Sequence, residues 1–167
     1  MEDMTLTVDE LAAWRAFVQM QELLRARLEQ QLQASNGLSN ADYTVLVALS
    51  EAPGRRLRAY ELCDALGWEK SRLHHHFSRM CRRGLVEREQ GDARAIHVTL
   101  TDTGLEALRR AAPGHAREVR RLVFDRLTEA EVRQLGAIST CLLDALLANA
   151  PRPARRSRRA ASGAEPE

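Results

Sequence analysis

The chain has 167 residues, of which 44% are hydrophobic and 29% charged, so it can bury a core and has room for one ordinary domain or one domain with long helical arms. The longest uninterrupted apolar run covers only residues 45–49, whereas a membrane span needs about 20 apolar residues. The acidic N-terminus lacks the apolar segment of a signal peptide, and three widely spaced cysteines match neither a disulfide framework nor a zinc motif. We therefore expect a cytoplasmic protein with reduced thiols and no cofactor.

Positive charge is concentrated in the middle and at the end of the chain. Residues 1–54 carry a net charge of −5, residues 55–94 carry +4 together with three histidines, and residues 151–167 carry +3. This asymmetry favours an anionic polymer as partner, although the overall charge is only +2. Solvated surface charge is the alternative that composition leaves open.

Capping residues and hydrophobic spacing predict two helices at the start of the chain. Thr7 and Glu10 have the pattern of a capping box, and apolar residues then recur every three or four positions up to Gly37. Ser39 and Asp42 repeat the capping pattern before a second amphipathic helix. The sequence thus predicts one long helix followed by a shorter one.

The middle of the chain changes from helical to strand periodicity. Two helices are predicted over residues 59–66 and 70–83, each followed by a glycine. Residues 85–88 and 96–100 suit two strands, with a hairpin tip at residues 91–94. This order is that of a winged helix-turn-helix.

Two more helices are predicted after the wing. One is capped by Thr101, runs to about Arg126 and is expected to bend at Pro113, and the other is capped by Thr128. Both carry apolar stripes that a lobe of this size does not cover. We expect a second copy of the chain to cover them, and packing of the helices on one another in a monomer is the alternative.

The predicted fold is mainly α with a small β-hairpin wing, in which a winged helix-turn-helix lobe carries long dimerisation helices. The expected division is an N-terminal helix contributing to dimerisation at 1–37, the lobe at 38–101, C-terminal dimerisation helices at 102–150 and a disordered basic tail at 151–167.

The motifs of the lobe are specific in their order and spacing. Residues 57–67 look like the first helix of a helix-turn-helix, and residues 68–86 like its recognition helix and exit. Asp92 and Arg94 in the hairpin, followed by Leu-Thr-Asp-Thr-Gly at residues 100–104, complete the pattern. Together they resemble the MarR family, the multiple-antibiotic-resistance regulators of bacteria and archaea. The resemblance covers about residues 8–148.

This resemblance implies a function. It implies a homodimeric DNA-binding repressor whose recognition helices and wings straddle a pseudopalindromic operator. It also implies that a small ligand, often an anionic phenolic compound, releases the DNA. A bacterial protein of this kind is cytoplasmic and associates with the nucleoid when bound to DNA. The operator, the target genes, the ligand and the direction of regulation do not follow from the resemblance.

The recognition helix has one apolar and one basic face. On a helical wheel Leu73, Phe77 and Met80 form the core side. The far side and its flanks carry arginine, serine and histidine: Ser71, Arg72, His74, His75, Ser78, Arg79 and Arg82. Arginine can donate two hydrogen bonds to guanine, and serine and neutral histidine can donate or accept, so we expect this face, with Lys70, to bind DNA. The resemblance implies that Arg72 and His75 touch bases, and a merely solvated face is the alternative.

Two further DNA contacts are expected outside the recognition helix. Arg94 at the wing tip suits a narrow, electronegative minor groove, and Asp92 can hold its guanidinium in place. Arg58 stands where most relatives carry a serine or threonine cap, so the start of the third helix should be weakened. Contact of Arg58 with a phosphate and plain solvation are both open.

A ligand pocket is expected between the dimerisation helices and the lobe. Trp14, Phe17, Tyr43 and His115 are the candidates to line it, with Arg15 as the partner of an anion. Core packing is the alternative role for Trp14 and Phe17.

The sequence does not support metal binding, thiol chemistry or catalysis. His74, His75 and His76 are consecutive, and neighbours on a helix point about 100° apart, so they cannot converge on one metal ion. The cysteines are expected to be buried and inert. No nucleophile–base pair or phosphate-binding glycine loop is present, so we predict no enzymatic activity.

Two alternatives to a sequence-specific regulator remain. A dimeric adaptor could use the winged helix to bind a protein, but the outer face of the recognition helix lacks the exposed apolar anchors of such a surface. A sequence-tolerant architectural DNA binder, assisted by the arginine-rich tail, is the other.

Overall fold

The computed structural model describes residues 5–90 and 95–148, without the side chain of Lys70. In these residues the helices are α1 Val8–Asn36, α2 Asn40–Glu51, α3 Ala59–Leu66, α4 Lys70–Arg82, α5 Asp102–Leu122 and α6 Glu129–Ala148, and the strands are β1 Arg56–Arg58, β2 Val86–Gln90 and β3 Ile96–Leu100. The mainly α fold with a small β wing is therefore confirmed. The predicted tail at residues 151–167 lies outside the described residues.

The first two helices begin where their capping residues predict. The hydroxyl of Thr7 accepts from the Glu10 N–H while the Glu10 carboxylate accepts from the Thr7 N–H, and Ser39 and Asp42 exchange the same pair of bonds. α1 ends at Gly37, whose φ of 63° lies in the left-handed region that glycine adopts without strain. Local hydrogen bonds therefore fix both ends of the α1–α2 junction.

The wing contains one strand more than predicted. The sheet is antiparallel with the order β1-β3-β2, so β3 is the central strand and Leu57 of β1 is opposite Val98. The predicted two-stranded wing was wrong in this respect. β1 has three residues, too few to show an alternating pattern, and its partner is about forty residues away in sequence.

The lobe is built around one apolar cluster. Leu73, Phe77 and Met80 of α4 are each at most 2% exposed, so the predicted core side of this helix is confirmed. They pack with buried residues of α2, α3, β2, β3 and α5. The recognition helix is thus fixed along one side, and its other side is left to solvent.

α5 begins in close contact with the loop that follows α4. The Thr101 hydroxyl lies within hydrogen-bond distance of the Gly84 and Leu85 carbonyls, and it accepts from the Gly104 N–H. A Cβ atom on Gly104 would collide with the Leu85 carbonyl, so only glycine fits there. The Leu-Thr-Asp-Thr-Gly motif therefore joins α5 to the wing. The helix passes through Pro113 and ends at Leu122, earlier than predicted.

Asp42 is a buried charge that joins three helices. It is 4% exposed, and its carboxylate lies 3.1 Å from Nε2 of His76 and accepts from Nη1 of Arg83 at 2.6 Å. The approach of His76 is not aligned with its N–H direction, so it is a short polar contact. Arg83 also donates to the carbonyl of Gly37 at 2.6 Å. Burial alone would raise the pKa of Asp42, but these contacts and the Ser39 N–H outweigh it and hold that pKa well below its usual value.

The chain divides into two compact units, one ending at Arg126 and one beginning at Leu127. In the second unit, Thr128 and Glu131 cap α6 as predicted. Every side chain from Arg133 to Ala148 is exposed, including Ile138, Leu142 and Leu146 of the predicted apolar stripe. None of the described helices is long and apolar enough to span a bilayer.

We predict that Asp42→Asn lowers the free energy of unfolding by about 2–3 kcal/mol at pH 7, because Arg83 and His76 lose a buried anion. The folded pKa of Asp42 is depressed, so its stabilisation is complete above the unfolded pKa of about 4 and disappears as pH falls toward the folded value. The difference between wild type and variant in urea unfolding should therefore be full at pH 7 and begin to shrink only as pH falls below about 4. The exposed Asp64→Asn is the matched control, and equal stabilities of the two variants at pH 7 would contradict this role.

Candidate nucleic-acid interface

The outer side of α4 is a continuous polar surface. Ser71, Arg72, His74, His75, Arg79 and Arg82 are exposed and Ser78 is half-buried, opposite the core residues of the same helix. Ser78 donates to the carbonyl of His74 at 3.0 Å, and Nη1 of Arg88 in β2 lies 3.4 Å from Nδ1 of His74. The structure therefore places all seven of these side chains, which the sequence predicts to form the DNA-binding face, on the solvent side of α4. The side chain of Lys70 lies outside the described part.

Two arginines on the flank of this surface rest on neighbouring rings. The guanidinium of Arg72 lies over the indole of Trp68, 4.7 Å from the ring centroid. Nη2 of Arg79 lies 3.0 Å from Nδ1 of His76. Both arginines remain exposed, so each guanidinium keeps donors for another partner.

His76 is the residue that the sequence interpretation missed. It is 4% exposed, facing Asp42, whereas His74 and His75 are exposed. Its position three residues after Leu73 places it on the edge of the core side of the wheel, which could have identified it. The three histidines thus point in different directions, and the described residues contain no group of three or more metal-binding side chains.

Arg58 takes part in the start of α3, and its predicted phosphate contact stays a prediction. It ends β1 and precedes α3 with an extended backbone, and its N–H donates to the Glu61 carboxylate at 2.8 Å. Glu61 thereby stabilises a helix start whose usual cap is absent. The exposed guanidinium donates to the Tyr60 hydroxyl at 3.2 Å. Asp92 and Arg94, the predicted wing-tip pair, lie outside the described residues, between the paired Gln90 and Ile96.

The predicted ligand residues form two separate groups in the single chain. Trp14 and Phe17 are neighbours in the exposed half of α1, with ring centroids 6.1 Å apart, and Arg15 beside them is exposed. The rings of Tyr43 in α2 and His115 in α5 are in contact, with centroids 4.4 Å apart and planes tilted by 39°. Because Gly114 packs against Gln31, the second group lies about 20 Å along α1 from Phe17.

The Tyr43–His115 pair is the more enclosed group. Burial lowers the pKa of His115 and raises that of Tyr43, so both are neutral at neutral pH. Nδ1 of His115 and Oε1 of Gln31 are buried and have no hydrogen-bond partner in the protein. A buried polar atom in this condition is costly unless another group satisfies it.

The cysteines differ in their surroundings. Cys63 is buried and Cys81 partly buried, but Cys141 in α6 is exposed in the single chain. The exposure of Cys141 follows from α6, which buries no side chain in the single chain, and its burial in a dimer stays a prediction.

A winged helix-turn-helix that exposes arginine, serine and histidine from its recognition helix defines a DNA-binding regulator. Residues 36–95 match the model of the MarR family. The chain is 41% identical to the MarR family transcriptional regulator Sco3205 from Streptomyces coelicolor, solved in complex with DNA, over 85% of this chain and 94% of that one, with a TM-score of 0.81. It is 38% identical to AbsC, a MarR family regulator from the same organism, over 86% and 98% of the two chains, also with a TM-score of 0.81.

A more distant relative has a named role. The transcriptional repressor MprA of Escherichia coli strain K12 is 27% identical over 139 residues, which are 82% of this chain and 78% of MprA. This chain belongs to the MarR family: it is a transcriptional regulator with a DNA-binding winged helix.

Proposed function

We propose that the protein is a homodimeric repressor that reads a pseudopalindromic operator with the outer side of α4 and is released from it by a small ligand. The observation that carries this proposal is the division of α4 into a buried side and an exposed side rich in arginine, serine and histidine. Such a helix can enter the major groove while its core side holds it to the lobe. Double-stranded DNA is the partner that this chemistry fits.

The side chains divide into base readers and backbone contacts. Arg72 and His75 face bases, since arginine can donate two bonds to guanine and histidine can donate or accept. Ser71, His74, Ser78 and Arg79 flank these two residues, and Arg58 and Lys70 bind phosphates. Arg94, supported by Asp92, enters the flanking minor groove. Together they span the groove that one half-site presents.

Exposed apolar side chains support the homodimer. On α1, Leu11, Trp14 and Phe17 are 36–55% exposed, and on α6 Leu142 and Leu146 are 50% and 71% exposed. Apolar side chains exposed together in this way are unfavourable in water, and a second copy of the chain is the partner that covers both helices. Two recognition helices would then meet half-sites about one helical turn apart.

Repression and ligand release have separate supports. The relative MprA is a repressor, which favours repression here. The unsatisfied Nδ1 of His115, whose ring contacts Tyr43, can donate to an anionic oxygen of an aromatic ligand, and the unsatisfied Oε1 of Gln31 can accept from a ligand hydroxyl. Gln31, Tyr43 and His115 belong to α1, α2 and α5, so a ligand that contacts all three would couple α1 and α5 to the lobe.

The DNA surface is tested by Arg72→Ala in the full chain. On an operator selected from a random library, the variant should lose about 1–3 kcal/mol per contact and relax preference at one position per half-site. Arg120→Ala removes an exposed arginine near the far end of α5 and should bind as wild type. Equal affinities of both variants, with unchanged melting temperatures, would contradict the surface and favour a protein-binding adaptor.

The dimer is tested by sedimentation of the full chain at micromolar concentration, which should give twice 18.8 kDa. Leu142→Asp should weaken association at least about a hundredfold, because a carboxylate in an apolar interface costs several kcal/mol. Ala137→Asp adds the same charge on the opposite side of α6 and should leave the dimer intact. A monomeric wild type would overturn the architecture.

Ligand release is tested by titrating the protein–operator complex with benzoate and hydroxybenzoates. These compounds should release the wild type at millimolar concentration or below, and His115→Ala should remain bound. Operator affinity without the compounds should be unchanged in that variant. If Trp14→Phe abolishes release and His115→Ala does not, the ligand position proposed here is wrong.

A further inference from the structure

A continuous series of contacts connects the two flanking arginines of α4. Arg72 lies over the ring of Trp68, Trp68 meets the ring of His76 edge-on at 5.4 Å and an angle of 89°, and His76 contacts Arg79 through Nδ1. Both ends of the series are exposed arginines, and its middle is two rings. Trp68, Arg72 and Arg79 line the same open cleft beside Asp42.

The two rings are held in place by the lobe. His76 is almost fully buried against Asp42, and Trp68 is partly buried and packs on the apolar core. Arginine side chains, in contrast, have many rotamers, and this conformational freedom must be lost when they bind. Contacts with fixed rings remove part of that loss before binding.

The chemistry of each contact is selective. Tryptophan offers the strongest ring face for a guanidinium, and the contact leaves the edge donors of Arg72 free for another acceptor. Nδ1 of His76 can accept from Arg79 only if the proton is on Nε2, which faces Asp42. Each ring therefore fixes the direction of one arginine without using all its donors.

We propose that Trp68 and His76 are positioning residues that hold Arg72 and Arg79 in the conformations in which they bind DNA. They then determine how sharply the protein discriminates among operators, although neither ring faces DNA. This inference rests on the proposed function, because it requires Arg72 and Arg79 to contact DNA.

The contact between Trp68 and Arg72 is tested by a double-mutant cycle in the full chain. Trp68→Leu removes the ring face, Trp68→Phe keeps one, and each is combined with Arg72→Ala and titrated against the selected operator and random DNA. Trp68→Leu should lose about fivefold in operator affinity per half-site when Arg72 is present and nothing further when it is absent. Trp68→Phe should restore most of the loss, and random DNA should be affected less than the operator.

The outcomes distinguish the positioning role of Trp68 from the proposed DNA-binding surface. If Trp68→Leu loses the same factor with and without Arg72, or binds as wild type, the positioning role is overturned. If Arg72→Ala itself binds as wild type, the proposed DNA surface fails before the positioning role is reached. Should Trp68→Leu fail to fold, fluorinated tryptophan at position 68 weakens the ring face without changing its shape, and operator affinity should fall with each added fluorine if the role is correct.

The contact between His76 and Arg79 is tested by a second pair of variants. His76→Gln keeps an acceptor for Arg79 and a donor toward Asp42, whereas His76→Leu keeps neither. Operator discrimination should survive in the first variant and fall severalfold in the second, and the fall should vanish in an Arg79→Ala background. Equal losses in both backgrounds would contradict the role of His76.

Discussion

The carboxylate of Asp42 is the interaction on which the arrangement of the lobe depends. It caps α2 through Ser39, faces His76 in the middle of α4 and binds Arg83 just after that helix, and Arg83 in turn binds the carbonyl at the end of α1. A buried charge needs such partners, because its desolvation would otherwise raise its pKa and destabilise the fold. The recognition helix is therefore tied at two points to the junction of the long first helix with the lobe.

This anchoring explains why one side of α4 is free to bind DNA. The apolar contacts of Leu73, Phe77 and Met80 fix the helix axis, and the polar contacts of His76 and Arg83 fix its rotation and its end. The exposed residues then have defined directions before DNA arrives. The same junction lies beside Tyr43 and near the α1–α5 contact. A change in helix packing at that junction would therefore be transmitted to the recognition helix through few intervening residues.

The sequence was sufficient for the features that local interactions determine. The capping boxes at Thr7, Ser39 and Thr128 and the apolar side of α4 follow from short-range patterns, and the structure contains each of them. β1 could not be predicted because it is three residues long and pairs with a distant strand. The Asp42–His76 contact and the separation of Trp14 from Tyr43 depend on how helices pack, which periodicity does not encode.

The most direct test of the central claim is to remove a major-groove acceptor from the DNA instead of a side chain from the protein. Binding of the full chain would be titrated against its selected operator, with each guanine in turn replaced by 7-deazaguanine, which lacks the N7 acceptor. If Arg72 reads a base, one replacement per half-site should weaken the wild type about tenfold and leave Arg72→Ala unaffected. Uniform affinity of the wild type for all the substituted operators would contradict the account.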